Sequence, residues 1–479
     1  MQLSHTRPVT AARFDDPNLV SYAGLVPVMA LAERAGLLDL ADEHLSVPTD
    51  KGAHAGRKIG TIVAGMIAGA DSIADLDRVR HGAMGTVFDR PYAPSTLGSF
   101  LRMFTFGHVR QLDAVASRVL CSLAQHTPVV AGLGTERVLV DIDDSIIEVH
   151  GYGKQGSGYG YSGIRGLNSL ITTVSTTTAA PVITAQRLRK GACGSPRGAA
   201  RIVADTLRTV RRLQAATAQP ATITAAQHNS KPLLRADSAF YGYPTIGSAV
   251  RGGADVSVTV RLDTVIKAAI ATIDDDAWTP IQYTNALFDE DSQRWISVAE
   301  VAEIPFTAFA SQRRSNHIPG RLIVRRIPDL RPTKQQGQDE LFDVWRFHAF
   351  FTTTGRTDLD TVAADKIHRQ HASIEQVHAD LKNSALAHLP SGKMWANAAW
   401  LVCATIAFNL TRAAATLTAE PKLAKATTAT IRDAIICVPA RIASSARKLT
   451  LHLPTRWHHQ QSWINLFHSA LRPKHLLIT

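Results

Sequence analysis

The sequence predicts a mixed α/β protein with a helical N-terminal region and a β-rich insertion. Three observations carry this. Apolar residues recur at helical spacing up to about residue 126. A β-branched run opens near residue 137 and further strand-like runs follow it. Aromatic and β-branched density rises again over 278–350, before the pattern returns to helix after Asp358. The expected divisions are 1–130 (helical), 131–250 (first part of the core), 251–345 (β-rich insertion), 346–415 (second part of the core) and 416–479 (basic, helical).

Each element has its own warrant. Leu25, Val28, Met29, Ala32, Leu37 and Leu40 share a helical face, and a second apolar pattern runs from Ile59 to Leu76. Ser95 or Thr96 is expected to cap a helix carrying Leu97, Phe100, Leu101 and Phe104, and His108 to Leu123 continue the pattern. Val138, Val140 and Ile142 alternate in a strand expected to end near Asp143. Seven glycines lie between Gly151 and Gly166, without the spacing of a phosphate-cradling loop, so a hairpin is expected there. Leu170–Ala180 reads as a strand, Ala199–Ala216 as a helix, and 232–240 as a short strand reaching Asp237. Residues 256–260 read as a strand, as does 348–354. Ile367–Leu386 and Lys393–Ala414 read as two further helices.

The chain has 479 residues, 45% apolar and 19% charged, which excludes a disordered tail, a small disulfide scaffold and a collagen-like rod. Its four cysteines are scattered, so a structural zinc site is not expected. The opening MQLSHTRPVT lacks an apolar signal core, and Ile59–Ala70 is too short to span a bilayer. The expected location is cytoplasmic, with no membrane partner. The net charge of +12 favours a polyanionic partner. Residues 187–212 hold eight Lys or Arg against one acid, and 411–479 hold ten against two. A third basic run contains Arg313, Arg314, Arg321, Arg325, Arg326, Arg331 and Lys334. A solvated face is the alternative reading of any one of these residues.

Carboxylates mark the candidate chemistry. Asp141 and Asp143 point to one face of a strand. Two such groups together favour a divalent cation or an exposed strand end. Asp237 ends a second apolar strand. On a continuous helix His368, His371, Glu375, His378 and Lys382 would share one face, either solvated or forming the wall of a site. Mg²⁺ takes hard oxygen ligands, which two strand ends and one helix would supply. The spacings are 94 residues (143 to 237) and 138 residues (237 to 375), and the second is long enough to hold the β-rich block.

The segments LVDIDDSIIEVHGYGKQGSGYGYSGIRGLNSL, LLRADSAFYGY, WISVAEVAEIPFTAF and HRQHASIEQVHADLKN, in this order, resemble DDE transposases of the IS4-like group and the IS1380 family most closely. The resemblance spans most of residues 15–470. It implies a ribonuclease H-like catalytic core with a β-strand insertion between the second aspartate and the glutamate. It implies Asp143, Asp237 and Glu375 as the catalytic and metal-binding triad, with Asp141 as the rival for the first position. It also implies Mg²⁺, with Mn²⁺ as a substitute. The IS4-like group often carries a Tyr, Arg, Glu, Lys signature. Here His368 and His371 stand at the first two positions, and Lys382 keeps the last.

The implied activity is cleavage of double-stranded DNA at the terminal inverted repeats of an insertion sequence, then joining of the freed 3′-hydroxyl to target DNA by a homodimer assembled on DNA. Candidate DNA contacts are Lys382, His371, Arg313, Arg314, Arg325 and Arg326, and the helical region 1–130 is expected to bind a DNA end, a packing domain being the alternative. The rivals are a non-catalytic DNA-binding protein or inactive copy, a two-metal nuclease, and a transition-metal site on His368, His371, Glu375 and His378.

Overall fold

The computed structural model describes residues 11–48, 50–151, 153–217, 231–289, 294–328, 345–446 and 448–471. The N-terminal periodicity folds as helices. After a two-residue strand β1 (Leu19–Val20) come α1 (Leu25–Arg34), α2 (Leu37–His44), α3 (Ala55–Ile67), α4 (Met84–Val87), α5 (Pro94–Arg102) and α6 (Phe106–His126). Ser95 and Thr96 lie inside α5, because Pro94 supplies the pre-set φ of a first helical residue. Thr105 and His108 close a reciprocal cap on α6.

The core begins with β2 (Leu139–Glu148), β3 (Gly158–Tyr159), β4 (Arg165–Ser175) and β5 (Val182–Lys190). β2 runs past Asp143, because antiparallel pairing with β4 holds it as far as Glu148↔Gly166. The glycine-rich stretch is the turn of this hairpin. Gly166, its last glycine, answers a steric demand, since a Cβ there would lie 2.3 Å from the Ile147 carbonyl oxygen. Then follow α7 (Ala199–Thr217), β6 (Leu233–Ala236), α8 (Tyr243–Arg251), β7 (Asp255–Thr259) and α9 (Thr264–Ile270). β6 lies parallel to both β2 and β7.

The β-rich block supplies β8 (Thr279–Asp289), β9 (Arg294–Ala308), β10 (Ile318–Pro328) and β11 (Trp345–Thr352). These strands extend the central sheet, because β11 pairs with β7. The sheet has ten strands, in the order β3-β4-β2-β6-β7-β11-β10-β9-β8, with β5 on β4.

The expected helix 367–386 is broken. It consists of α10 (Thr361–Arg369), a 3-10 turn (Gln370–Ala372) and α11 (Ser373–Lys382). The tighter turn resets the helical phase between His368 and α11. α12 (Met394–Thr416) is the most apolar long helix, long and apolar enough to cross a membrane, yet that apolar stretch is wholly buried inside the protein. Its Asn409 accepts the Ile183 N–H at 2.9 Å and donates to the Ile183 carbonyl at 2.7 Å, closing the edge of β5. α13 (Pro421–Lys425) and α14 (Thr428–Ile431) follow. The C-terminal segment, expected to be helical, also contains the hairpin of β12 (Ala440–Ser445) and β13 (Lys448–His452), which pairs with β1, before α15 (Gln460–Leu471). Arg34 of α1 donates to the Ser469 and Ala470 carbonyls, tying the two ends together. Residues 472–479, Arg331 and Lys334 lie outside the described residues.

Candidate active site

The site is a consequence of strand pairing. β2 and β6 run parallel for three pairs, ending at Asp141↔Arg235. β6 stops one residue later, at Ala236. Asp237 then leaves the sheet and caps the 3-10 turn Ser238–Phe240, accepting the Ala239 N–H at 3.0 Å. β2 continues without a parallel partner on that side. Asp143 therefore lies beyond the carboxyl end of β6, the end of a strand at which open α/β sheets hold their ligands.

Asp141 and Asp143 share a face of β2 but not an environment. Asp141 is fully buried. It accepts Arg235 Nε at 2.8 Å and Nη2 at 2.7 Å, and His371 Nδ1 lies 2.9 Å from its Oδ1. Burial alone would raise its pKa, but Arg235 and His371 outweigh that and hold it below the usual carboxylate range. Arg235 Nη1 also donates to the Ile367 carbonyl at 2.6 Å, fixing the end of α10 on the sheet. Asp141 is thus committed to a structural ion pair.

Asp143 has no such partner. Burial pushes its carboxyl up to about 7; the Asp144 backbone hydrogen bond opposes the rise, and the Asp237 charge adds to it. Burial also raises Asp237, against the Ala239 N–H and the charge of His371. Burial thus disfavours the ionised form of both carboxyls. Asp144 points to the opposite face, where Asn168 and Arg189 hold it, the latter at 2.9 Å.

α11 packs on β2 and overlooks these groups. His378 is buried, its Nε2 lies 3.7 Å from Asp143 Oδ2, and burial lowers its pKa to about 4. Lys382 feels the Asp143 charge, which opposes the lowering caused by its partial burial. Glu375 sits on the exposed first turn of α11, between His371 and His378 in helical order. Among the described residues, no group of three or more His, Cys, Asp or Glu side chains is arranged to hold a metal ion. Asp143 and Asp237 are brought together; Glu375 is not drawn in with them.

His368 leaves the shared face. Its ring stacks on Phe350 at 4.0 Å and bonds Ser257 at 2.9 Å and Thr259 at 3.0 Å. Burial holds it neutral, at about 3. The candidate DNA contacts divide. Arg313 and Arg314 are exposed beside the turn between β9 and β10. Arg325 is bonded to Asp365 at 3.2 Å. Arg326 is held by Glu300 at 2.5 Å and lies 4.2 Å and 4.4 Å from the rings of Trp278 and Trp345. Arg235 was not among the expected site residues. The signal for it was the repeated spacing of two, Asp141/Asp143 and Arg235/Asp237, on neighbouring strands.

The fold is a mixed α/β one, with an N-terminal helical region and a central β-sheet. The chain belongs to the family described as transposase DDE domain group 1, whose model matches residues 2–474. No curated protein matches it.

Proposed function

We propose that the protein is a divalent-cation-dependent DNA transposase of the IS1380 group, with Asp143, Asp237 and Glu375 as its carboxylates. The observation that carries this reading is the register of β2 and β6, which sets Asp143 and Asp237 each two residues beyond the Asp141↔Arg235 pair, at the carboxyl end of β6. The strand order β5-β4-β2-β6-β7, with the first three antiparallel and the last two parallel to β2, supports a ribonuclease H-like core with Asp143 on its first strand.

The donor set fits Mg²⁺ or Mn²⁺: hard oxygens whose mutual repulsion a cation would relieve. Asp143 and Asp237 would hold it, with Glu375 joining from α11. When bound, the cation would neutralise charge on the scissile phosphate and its leaving oxygen. The chain's own groups do the rest. Arg235 and His371 lock Asp141, and Asp141 fixes the register that sets Asp143 opposite the end of β6. His378 packs against Asp143 and limits its hydration. Lys382 offers a positive charge to the phosphate. Cleavage at an element end would free a 3′-hydroxyl, and that hydroxyl would attack target DNA in the same crevice, within a homodimer assembled on DNA.

The test is cleavage and joining of a duplex carrying the flanking inverted repeat, in Mg²⁺, with Glu375→Gln as control. Joined product from the wild type and none from the variant supports the proposal. Cleavage without joining of a 3′-hydroxyl-ended substrate would make the protein a nuclease. No processing under any divalent cation would leave a DNA-binding protein.

A further inference from the structure

The basic run 187–212 is not used by the carboxylate crevice. In the fold, part of it gathers on the other face of the sheet. Thr172 of β4 bonds Thr206 of α7, so residues in phase with Thr172, including its register partner Ile142, face α7. Asp141 and Asp143 alternate with Ile142 and face away. On the α7 side, Arg187 from β5, Arg110 and Arg118 from α6, and Arg201, Arg208 and Arg212 from α7 line a concave pocket of about 230 Å³. Its acids are Asp113 and Asp205 alone.

The charges there are unbalanced. Asp205 is approached by four guanidiniums: Arg187 at 2.6 Å, Arg110 at 3.1 Å, Arg201 at 3.5 Å, and Arg208. Arg110 and Arg187 also reach Asp113, at 2.7 Å and 3.0 Å. Six arginines against two aspartates leave an excess of positive charge in a concave, partly desolvated site. Arg110 and Arg187 are held in place by the acids, so their orientation is set before a ligand arrives. Arg201 and Arg208, paired with Asp205, are more than half exposed. Guanidiniums presented in this way match phosphate oxygens.

We propose that this pocket is a second DNA contact, binding the phosphodiester backbone of duplex DNA on the sheet face opposite the carboxylates. It takes up a stretch of the duplex other than the scissile phosphate. The inference rests on the reading that the protein processes DNA. It adds a site which that reading does not require.

The test compares the full-length wild type, the Arg201→Ala/Arg208→Ala/Arg212→Ala variant and its triple-lysine counterpart. Affinity for a fluorescein-labelled duplex carrying the inverted repeat is measured across a salt series. The alanine variant should bind at least about tenfold more weakly at low salt, and its plot of log affinity against log salt should flatten by about one to three units, roughly one per lost phosphate contact. The lysine variant should keep most of the slope. Unchanged affinity and slope in the alanine variant would overturn the pocket, as would a lysine variant that fails as badly as alanine. Wild-type cleavage is scored in parallel. If the wild type cuts and the alanine variant binds normally, only the pocket fails. If nothing cuts and the alanine variant still loses binding, only the catalytic reading fails.

Discussion

Arg235 and Asp141 form a two-point ion pair, at 2.8 Å and 2.7 Å, with both side chains sealed from solvent. Two residues further along each strand stand Asp143 and Asp237, which lack such neutralisation. The same register therefore yields one pair that holds the sheet and one left without such neutralisation, which the proposed function puts to use.

This contrast gives opposite outcomes for two similar substitutions. Asp141→Asn leaves the Arg235 guanidinium buried and uncompensated, and should cost about 3–5 kcal/mol of stability. Asp143→Asn removes a carboxyl that burial already disfavours, and should stabilise by about 1 kcal/mol while abolishing DNA cleavage. Urea unfolding with a plasmid-nicking assay checks both. If Asp141→Asn folds as well as wild type and Asp143→Asn still cuts, the two roles are misassigned.

Glu375 is exposed, so Glu375→Gln should leave the unfolding midpoint within about 0.5 kcal/mol of wild type. Strand joining should fall below detection. Retained joining would remove Glu375 from the triad.

His368 gives a pH signature. Its folded-state pKa of about 3 lies below the ordinary 6.5. Between these values the unfolded chain binds more protons than the folded one, so stability rises with pH. The contribution is complete above about 6.5 and is lost progressively on acidification toward about 3. His368→Phe should flatten the dependence of the urea midpoint on pH over 4–6.5. An unchanged slope would place the acid sensitivity elsewhere.

Asn409 serves both polar groups of Ile183 on β5. Asn409→Leu leaves a buried N–H and C=O unpaired and should cost about 2–4 kcal/mol. Hydrogen exchange should show the Ile183 amide losing protection first.

Much of this was legible from residue pattern. The β-branched run of β2, the apolar stretch before Asp237 and the basic, amphipathic α7 declare themselves locally. Three features did not. The break at Gln370–Ala372 has no glycine or proline to mark it, and arises because His368 seats on Phe350 while His371 must reach Asp141. Asp141 and Asp143 look equivalent in a strand, and only the arginine two positions before Asp237 separates them. The β-rich block read as an insertion, but its attachment depends on β11 pairing with β7, a contact between segments about ninety residues apart that no local period reveals.

That attachment has a mechanical side. Arg325 of β10 grips Asp365, and Glu303 of β9 binds both Arg321 and Thr361, so the outer strands clamp the helix that leads into Glu375. Strands and helix form a bracket around the hinge at residues 370–372. A load applied to the outer edge of the sheet is carried to α10 through these ion pairs. On the proposed role of Glu375, a substitution at Arg325, some fifty positions away, would be felt as misalignment of that carboxylate before it was felt as unfolding.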